Sequence, residues 1–278
     1  MHARTAIVTG TSRGIGVYIA RALAERGYDL LLVARSQPDL VRVANELRAG
    51  TAGGTIAFAA VDLSHPDAPR RIADAAAREL GDVGVLVNNA AVELQRRFHM
   101  LDTDEIGHVL RVDLLAPIEL THLLLPGMLD RGYGRIVNVS SIAGRVGFPF
   151  TEPYAAAKDG LIAFSRVLRN DYRRSGVSAS AVVLGAVKDA GLGHRTVEET
   201  RLQASTSFMV TPERVARAVI RAIEKDRAEV VVMPGPGRLL KALLDLFPDL
   251  GSRMNRVSGA ERVMAQVADY REKQRAAA

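Results

Sequence analysis

Three kinds of side chain that could together transfer a proton occur in the middle of the sequence. Tyr154 and Lys158 are four residues apart, so a helix would place both on one face, one turn from each other. The apolar stretch 135–139 predicts a buried strand that ends at Ser140 and Ser141. A phenol can act as acid or base, a neighbouring cation lowers its pKa, and a serine hydroxyl can hold a reacting oxygen. The spacing therefore indicates a proton-transfer site, with an ordinary solvated helix face as the alternative for Tyr154 and Lys158.

The composition predicts a soluble globular protein with a sizeable core. Of the 278 residues, 48% are hydrophobic and 24% are charged. There is no cysteine, which excludes disulfides, thiolate metal ligands and a thiol nucleophile, and no two of the 6 histidines have metal-ligand spacing. No stretch approaches the roughly 20 apolar residues of a membrane span, and the first apolar stretch is too short for a signal peptide, so we expect a cytoplasmic protein.

The net charge of +6 comes from arginines that are scattered rather than clustered. No basic run alternates with aromatic residues, so we do not expect nucleic-acid binding. A small ligand rich in phosphate is a better partner for a few of these arginines. Arg96 and Arg97 could bind an anionic substrate tail, but we interpret them as solvated surface charge.

The first strand leads into a glycine-rich turn. Residues 5–9 are apolar enough for a strand covered on both faces, and a helical pattern follows the turn. Such a strand–turn–helix unit aims free backbone N–H groups at a phosphate. Gly10 can adopt a positive φ in the turn. Gly14 allows a pyrophosphate to approach the backbone, and Gly16 allows the helix to pack on the strand. The candidate cofactor-binding residues of this turn are Gly10, Ser12, Arg13, Gly14, Ile15 and Gly16.

The end of the second strand favours NADP over NAD as the cofactor. An NAD-binding protein would carry an acidic residue near this point, where it binds the ribose. Here the strand 29–34 is followed by Arg35 and Ser36, and Arg13 supplies a second cation for a 2′-phosphate. The alternative interpretation is that both arginines are ordinary surface residues.

Strands and helices alternate along the rest of the chain with a spacing of about 20–25 residues. The alternation predicts an α/β fold with right-handed crossovers and a parallel sheet. Asp62 and Leu63 end the third strand, where they could contact the adenine amino group or cap the next helix. No repeat or linker interrupts the series, so we predict one dinucleotide-binding and catalytic domain over 1–235. Residues 236–278 are expected to form a C-terminal helical extension packed on the same domain.

Four ordered motifs resemble those of the short-chain dehydrogenase/reductase family over roughly residues 4–235. They are Thr9-Gly10-x-x-x-Gly14-x-Gly16, Asn88-Asn89-Ala90, Ser141, and Tyr154 with Lys158. The resemblance implies a single-domain doubly wound Rossmann fold with a seven-stranded parallel sheet in the order 3-2-1-4-5-6-7. It also selects Ser141, which precedes Ile142-Ala143-Gly144, over Ser140.

The resemblance implies roles for these residues as well. Ser141 would bind the substrate oxygen and Tyr154 would give or take the proton. Lys158 would lower the pKa of Tyr154 and hold the nicotinamide ribose. A homodimer or homotetramer formed through helices 103–130 and 153–175 is implied too. The further cofactor contacts would be Asn89, Ala90, Ala91, Tyr154, Lys158, Gly185, Val187 and Asp189.

Three positions depart from the family pattern. Asp113 replaces an asparagine that holds a catalytic water. If ionised near Lys158, it would disfavour tyrosinate and raise the pH optimum. Ala91 replaces a glycine, and we expect it to be tolerated. Asp189 replaces a threonine, and a carboxylate near the nicotinamide should favour binding of NADP⁺ over NADPH.

The substrate should lie against the loops 92–100, 145–150 and 190–210, which follow the carboxyl ends of strands. Their side chains predict a fairly large apolar pocket, and the third loop, with its glycines, is interpreted as a mobile lid. The pocket candidates are Leu94, Phe98, Met100, Val146, Phe148, Phe150, Leu192, Phe208 and Met209.

The C-terminal tail contains two further predicted helices. The helix 238–247 is apolar on much of its circumference and would cover the substrate mouth, contact a partner subunit or, as the lesser alternative, rest on a membrane. A polar helix over 259–275, frayed at its end, carries Val263, Met264 and Val267 on one side.

These features predict an NADP(H)-dependent oxidoreductase that interconverts an alcohol and a ketone or aldehyde on an apolar substrate. The alternative is a cofactor-binding regulatory or scaffold protein whose catalysis is weakened by the three departures. The intact serine, tyrosine and lysine argue against that alternative.

Overall fold

The computed structural model, which describes residues 4–51, 53–191, 196, 209–247 and 249–276, contains seven strands separated by one or two helices, with further helices after the last strand. The strands are β1 (Thr5–Thr9), β2 (Asp29–Ala34), β3 (Ile56–Ala60), β4 (Val85–Asn88), β5 (Gly134–Ser141), β6 (Val177–Leu184) and β7 (Glu229–Val232). The helices are α1 (Ile15–Ala24), α2 (Gln37–Gly50), α3 (Ala68–Glu79), α4 (Thr103–Leu110), α5 (Ala116–Asp130), α6 (Ala143–Val146), α7 (Glu152–Asp171), α8 (Pro212–Glu224), α9 (Gly237–Leu246), α10 (Asp249–Val257) and α11 (Ala260–Ala276).

All seven strands form one parallel sheet in the order β3-β2-β1-β4-β5-β6-β7. This order confirms the predicted doubly wound fold. β1 lies between β2 and β4, with Val8 paired to Leu32 on one side and to Val87 on the other. Because the strands are parallel, their carboxyl ends meet at one edge, and the strand order reverses beside β1. The crevice at that point is where open α/β sheets bind ligands.

Both faces of the sheet are covered, which explains why its strands show no polar alternation. In β1, Ala6 and Val8 belong to a core shared with α1, α2 and α8, whereas Ile7 belongs to a core shared with α3 and α5. Successive side chains of a strand point to opposite faces, so one short strand contributes to both cores. Burial of each large aliphatic side chain contributes about 1.5–3 kcal/mol, which holds the central strands in place.

The long helix predicted over 103–130 changes its winding in the middle. α4 continues into a π-helical segment, Arg111–Leu115, before α5 begins. Such segments are rare and often lie at functional sites. Asp113 is in this segment and is completely buried.

By length and hydropathy alone, Thr103–Asp130 is the one helix in the described part of the chain that could cross a membrane. A core helix of an α/β fold has the same properties. Here α5 packs on α3 and β5, and α4 packs on α7, so the helix is part of the layer that covers the sheet.

Three helices follow β7. α9 buries Leu244 in a small core with Ile142 and Val146, and leaves Leu246 and Phe247 at the surface. α10 was not predicted, because few apolar residues mark its inner face. Like α9, it lies against α6. α11 buries Val267 and Ala268, and Val267 belongs to the apolar side predicted for this otherwise polar helix.

Candidate active site

One cavity of about 910 Å³ opens at the carboxyl edge of the sheet. The glycine turn borders it, and so do Ser141, Tyr154 and Lys158. Ser36 and Asp113 are the predicted site residues that do not line this cavity. Those that do are Gly10, Ser12, Arg13, Gly14, Ile15, Gly16, Arg35, Asp62, Leu63, Asn89, Ala90, Ala91, Ser141, Tyr154, Lys158, Gly185, Val187 and Asp189.

The glycine turn is closed by backbone contacts that leave no room for a side chain. A Cβ on Gly16 would lie 2.1 Å from the carbonyl oxygen of Gly10, and a Cβ on Gly14 would lie 2.6 Å from that of Ala190. Asn89 joins β4 to the turn, because its Nδ2 donates to the carbonyl oxygen of Thr9 at 2.9 Å. Of the first N–H groups of α1, that of Val17 donates to the carbonyl oxygen of Gly14 at 3.1 Å, whereas those of Ile15 and Gly16 have no acceptor within the helix. This bare backbone cradle fits the pyrophosphate of a dinucleotide.

Charged residues that follow β2 and β3 line the same cavity. The Arg35 guanidinium lies 4.0 Å from the Asp62 carboxylate, and its side chain is 60% exposed. Asp62 also accepts a hydrogen bond from the backbone N–H of Ser64 at 2.9 Å, so it caps the turn that follows. Ser36 serves the fold instead, since its hydroxyl accepts from the N–H of Asp39 and begins α2.

Helix α7 and strand β5 bring the proton-transfer candidates together. The Oγ of Ser141 accepts from the N–H of Ala143 at 3.1 Å, and its side chain also forms a hydrogen bond with Tyr154. The neighbouring Ser140 donates its hydroxyl proton to the carbonyl oxygen of Lys158 at 2.7 Å. Ser140 therefore fastens α7 to β5, and Ser141 is the serine that contacts the phenol.

Lys158 is buried and forms a direct ion pair with Asp113. Its Nζ lies 3.2 Å from Oδ2 of Asp113 and 3.5 Å from the carbonyl oxygen of Val139. The other Asp113 oxygen accepts from the N–H of Val92 at 2.8 Å. Burial raises the pKa of Asp113, while the ammonium group of Lys158 opposes that rise. The negative charge expected near Lys158 is thus in direct contact with it, because the π-helical segment carries Asp113 to the lysine.

Burial raises the pKa of Tyr154, and the negative charges of Glu93 and Asp113 raise it further. The hydrogen bond with Ser141 opposes the rise. This direction is opposite to the lowering expected from Lys158, whose Nζ lies 5.5 Å from the centre of the phenol ring. The carboxylate of Asp113 offsets the charge of the lysine, so the phenol keeps its proton at neutral pH.

Glu93 also lines the cavity, and the sequence analysis did not single it out. Removal from water raises its pKa to about 7, with Asp113 adding to the rise and Arg271 and Lys158 opposing it. The sequence does contain a signal for Glu93. It is a carboxyl group four residues beyond Asn89, in a loop whose other side chains predicted an apolar wall.

The apolar wall differs from the predicted one. Phe148 and Met209 line the cavity, but Phe98 and Met100 are about half exposed at the surface and Val146 lies in the core. Leu94 and Phe150 do not border the cavity either. Leu192, Phe208 and nearly all of the lid predicted over 190–210 lie outside the described residues.

The C-terminal helix α11 supplies much of the wall instead. Its Val263, Met264 and Val267 line the cavity, whereas no residue of α9 does. Of the three alternatives for the helix 238–247, the structure therefore does not support the one that covers the substrate mouth, and α11 lines the cavity instead.

Arg96 and Arg97 are bound to carboxylates, so the prediction of solvated surface charge is wrong. Arg96 is only 5% exposed, pairs with Glu105, and donates to the carbonyl oxygen of Met100 at 2.8 Å. Arg97 pairs with the carboxylates of Asp269 and Glu272 in α11.

Four ion pairs hold α11 over the cavity, and we define them as the C-terminal clamp. Arg97 pairs with two carboxylates of α11, Glu272 at 2.5 Å and Asp269 at 2.6 Å. Arg275 of α11 pairs with two carboxylates at the start of α4, Asp102 at 2.7 Å and Glu105 at 2.9 Å. The end of the helix is thus tied to the fold, where fraying was expected.

A glycine turn and a serine–tyrosine–lysine cluster in one cavity define a dinucleotide-dependent oxidoreductase. The family model described as short chain dehydrogenase matches residues 4–202. The chain belongs to the short-chain dehydrogenase family, whose members oxidise CH–OH groups, or reduce the corresponding carbonyls, with NAD(P).

Known relatives cover most of the chain. Ketoacyl reductase HetN from Nostoc sp. is 39% identical over 234 residues, which are 84% of this chain and 79% of the relative. An acetoacetyl-CoA reductase from Paracoccus denitrificans is 33% identical over 81% of this chain and 92% of its own length. Among solved structures, actinorhodin polyketide ketoreductase with NADPH has a TM-score of 0.76 at 28% identity, covering 85% of this chain and 99% of that one. A metagenomic short-chain oxidoreductase in complex with NADP has a TM-score of 0.71 at 32% identity, covering 83% and 97%.

Proposed function

We propose that this chain is an NADP(H)-dependent ketoreductase that interconverts an alcohol and a ketone or aldehyde on an apolar substrate. The observation that carries the proposal is that Ser141, Tyr154 and Lys158 border the same cavity as the glycine turn. Two of the relatives are ketoacyl and acetoacetyl-CoA reductases, and solved neighbours contain NADP or NADPH, which supports both the reaction and the cofactor.

The cofactor site combines the backbone cradle with two cations. Gly10, Gly14 and Gly16 shape the cradle, and Arg13 and Arg35 supply positive charge for a 2′-phosphate. When bound, NADPH supplies the hydride. The remaining steps belong to side chains of the protein.

Ser141 and Tyr154 handle the substrate oxygen. The Ser141 hydroxyl binds that oxygen and orients it toward the phenol, with which Ser141 already shares a hydrogen bond. Because the pKa of Tyr154 is raised, the phenol carries its proton at neutral pH and is ready to donate it to a developing alkoxide. This state favours carbonyl reduction. Alcohol oxidation needs the tyrosinate and should run faster at high pH.

Lys158 and Asp113 set the electrostatics around the phenol. Asp113 is a positioning residue, since it holds the buried ammonium at 3.2 Å without lining the cavity. Lys158 borders the cavity and is the cation available to the ribose hydroxyls of the cofactor. Burial is the main cause of the raised pKa of Tyr154, and the negative charge of Asp113 adds to that of Glu93, so Asp113 helps to tune the pH range of the reaction.

The proposal extends to the setting of the enzyme. Residues 1–235 would form the catalytic domain, with 236–278 as an extension packed on it. The protein would be cytoplasmic, and it would form a homodimer or homotetramer through the long helices.

Fluorescence titration with NADPH and NADH, followed by turnover of a panel of ketones, tests the proposal. We expect tighter binding of NADPH than of NADH and NADPH-dependent reduction of the larger apolar ketones. Cofactor binding without turnover of any ketone or alcohol would overturn the proposal in favour of a regulatory or scaffold role.

A further inference from the structure

The cavity contains a carboxyl group that the proposed proton transfer does not use. Glu93 lines the cavity together with Tyr154 and Lys158. Its Oε1 accepts a hydrogen bond from Nε2 of Gln95 at 3.3 Å. No donor among the described residues reaches its second oxygen, Oε2, so that oxygen is available to a ligand in the cavity.

The side chains that hold Glu93 come from three parts of the chain. Gln95 is buried, accepts from the hydroxyl of Thr196 at 3.1 Å, and lies 3.6 Å from the sulfur of Met264 in α11. Arg271 of α11 donates to the same Thr196 hydroxyl at 3.1 Å and approaches the backbone carbonyl of Glu93 at 3.5 Å. A side chain that is held from behind in this way keeps its carboxyl group aimed at the cavity.

Charged groups from three elements surround this carboxyl group. Asp113 of the π-helical segment disfavours its ionised form, and Arg271 of α11 and Lys158 of α7 favour it. Its own charge in turn raises the pKa of Tyr154. With removal from water included, the pKa of Glu93 is about 7, so a large share of the molecules carry a protonated carboxyl at neutral pH.

We propose that Glu93 is a substrate-binding residue whose protonated carboxyl donates a hydrogen bond to a second carbonyl oxygen of the substrate, so that the enzyme prefers keto esters and ketoacyl thioesters over simple ketones. The proposal rests on the ketoreductase function proposed above. It assigns the two oxygens of such a substrate to two places. The reacting oxygen lies between Ser141 and Tyr154, and the acyl oxygen lies at Glu93.

The chemistry of the wall supports this assignment. A carboxylic acid can donate to a carbonyl oxygen, whereas a carboxylate only accepts and would repel it. Val92, Val263 and Met264 line the cavity as well and can hold an acyl chain, while the side chain of the polar neighbour Gln95 is already engaged with Glu93 and Thr196. A buried polar group that is left without its partner strongly disfavours the ligand that lacks it.

The test compares two substrates that differ only at the second oxygen. One is a β-keto ester, and the other is the matching β-alkoxy ketone, in which a methylene replaces the ester carbonyl. KM and kcat for both are measured as a function of pH with the wild type, Glu93→Gln and Glu93→Ala. Glu224→Gln, which changes a half-exposed carboxylate paired with Arg26, is the control. The dissociation constant of NADPH is measured for each protein to show that the cofactor site is intact.

We expect Glu93→Ala to raise KM for the keto ester by about tenfold and to leave KM for the alkoxy ketone unchanged. The raised pKa means that the donor form exists below about pH 7 and is lost above it. The wild-type KM for the keto ester should therefore rise with pH, whereas Glu93→Gln, which always donates, should hold a low KM at all pH values.

Two results would overturn this assignment. One is an equal change of KM for both substrates in Glu93→Ala, and the other is a change confined to the pH profile of kcat, which would mean that Glu93 acts only through Tyr154. If the wild type reduced neither substrate, the ketoreductase function itself would fail. If the wild type reduced the keto ester and the alkoxy ketone equally well, only the proposed substrate-binding role of Glu93 would be wrong.

Discussion

The cofactor half and the substrate wall of the cavity are built in different ways. The glycine turn is closed by backbone atoms, since Gly16 of α1 lies against the carbonyl oxygen of Gly10, and Gly10 lies against the backbone of Ala90 after β4. The substrate wall is held by side chains far apart in sequence. Arg97 and Glu272 are separated by 175 residues, and Arg275 and Asp102 by 173.

This difference sets how each half should respond to change. Backbone contacts in a packed turn cannot rearrange without moving a strand or a helix. Ion pairs between partly exposed side chains are individually weak and are screened by salt. Substitutions in the cofactor half should therefore have large effects on binding, whereas substitutions in the clamp should have small ones that depend on ionic strength.

The largest effect is expected from Gly16→Ala. Its methyl group would lie 2.1 Å from the carbonyl oxygen of Gly10, so α1 must shift away from the turn. A strain of about 3 kcal/mol would weaken NADPH binding on the order of 100-fold or destabilise the fold by a similar free energy. Titration with NADPH and denaturant unfolding measure both. Gly50→Ala, where a Cβ meets nothing within 4 Å, is the control. If Gly16→Ala bound NADPH normally and also had the wild-type free energy of unfolding, the contact would not be restrictive.

Arg35→Ala should weaken NADPH binding by about tenfold and leave NADH binding unchanged, because a charge-assisted contact to the 2′-phosphate is lost. Arg70→Ala removes another exposed arginine that is paired with an aspartate, and it should bind both cofactors normally. Equal losses for NADPH and NADH would show that Arg35 does not distinguish them.

Asp113→Asn should shift the pH–rate profile toward acid by about one unit, because it removes a negative charge that raises the pKa of Tyr154. Alcohol oxidation, which needs tyrosinate, should reach its plateau at a lower pH. Carbonyl reduction, which needs the phenol, should begin to fall at a lower pH. pH–rate profiles for oxidation and for reduction measure the shift. An unchanged profile would show that Asp113 does not raise the pKa of Tyr154.

The smallest effect is expected from the C-terminal clamp. Arg97→Ala removes two pairs that hold α11 over the cavity, and it should raise KM for a bulky ketone about threefold with little change in kcat. High salt should reproduce part of this rise in the wild type. Arg26→Ala, which breaks an exposed pair with Glu224 on another face, should change neither constant. A KM that was insensitive to both salt and Arg97 would mean that the clamp does not shape the substrate wall.

The same contrast explains what could be predicted from the sequence. The strand order and the glycine turn depend on short-range patterns and on motifs with family spacing. Both predictions agree with the structure. The sequence also showed a stripe of Val263, Met264 and Val267. Where that stripe docks depends on ion pairs between distant segments, which no local pattern reveals.

Two features near Tyr154 were missed for a related reason. The direct contact of Asp113 with Lys158 depends on the π-helical segment, which has no composition signal of its own. Glu93 is one carboxyl group in a loop, and its raised pKa comes first from its removal from water and then from the Asp113, Lys158 and Arg271 charges that the fold places around it. Electrostatic environment is a property of the assembled site, so residue type alone could not predict it.

Tyr154→Phe tests the proposed proton transfer most directly. The matched control is Tyr172→Phe at the other end of α7, which does not line the cavity. We expect Tyr154→Phe to lower kcat for ketone reduction by about 1,000-fold and to bind NADPH with an unchanged dissociation constant, while Tyr172→Phe retains both. Ketone reduction by Tyr154→Phe within a few-fold of the wild-type rate would contradict the assignment of the proton donor.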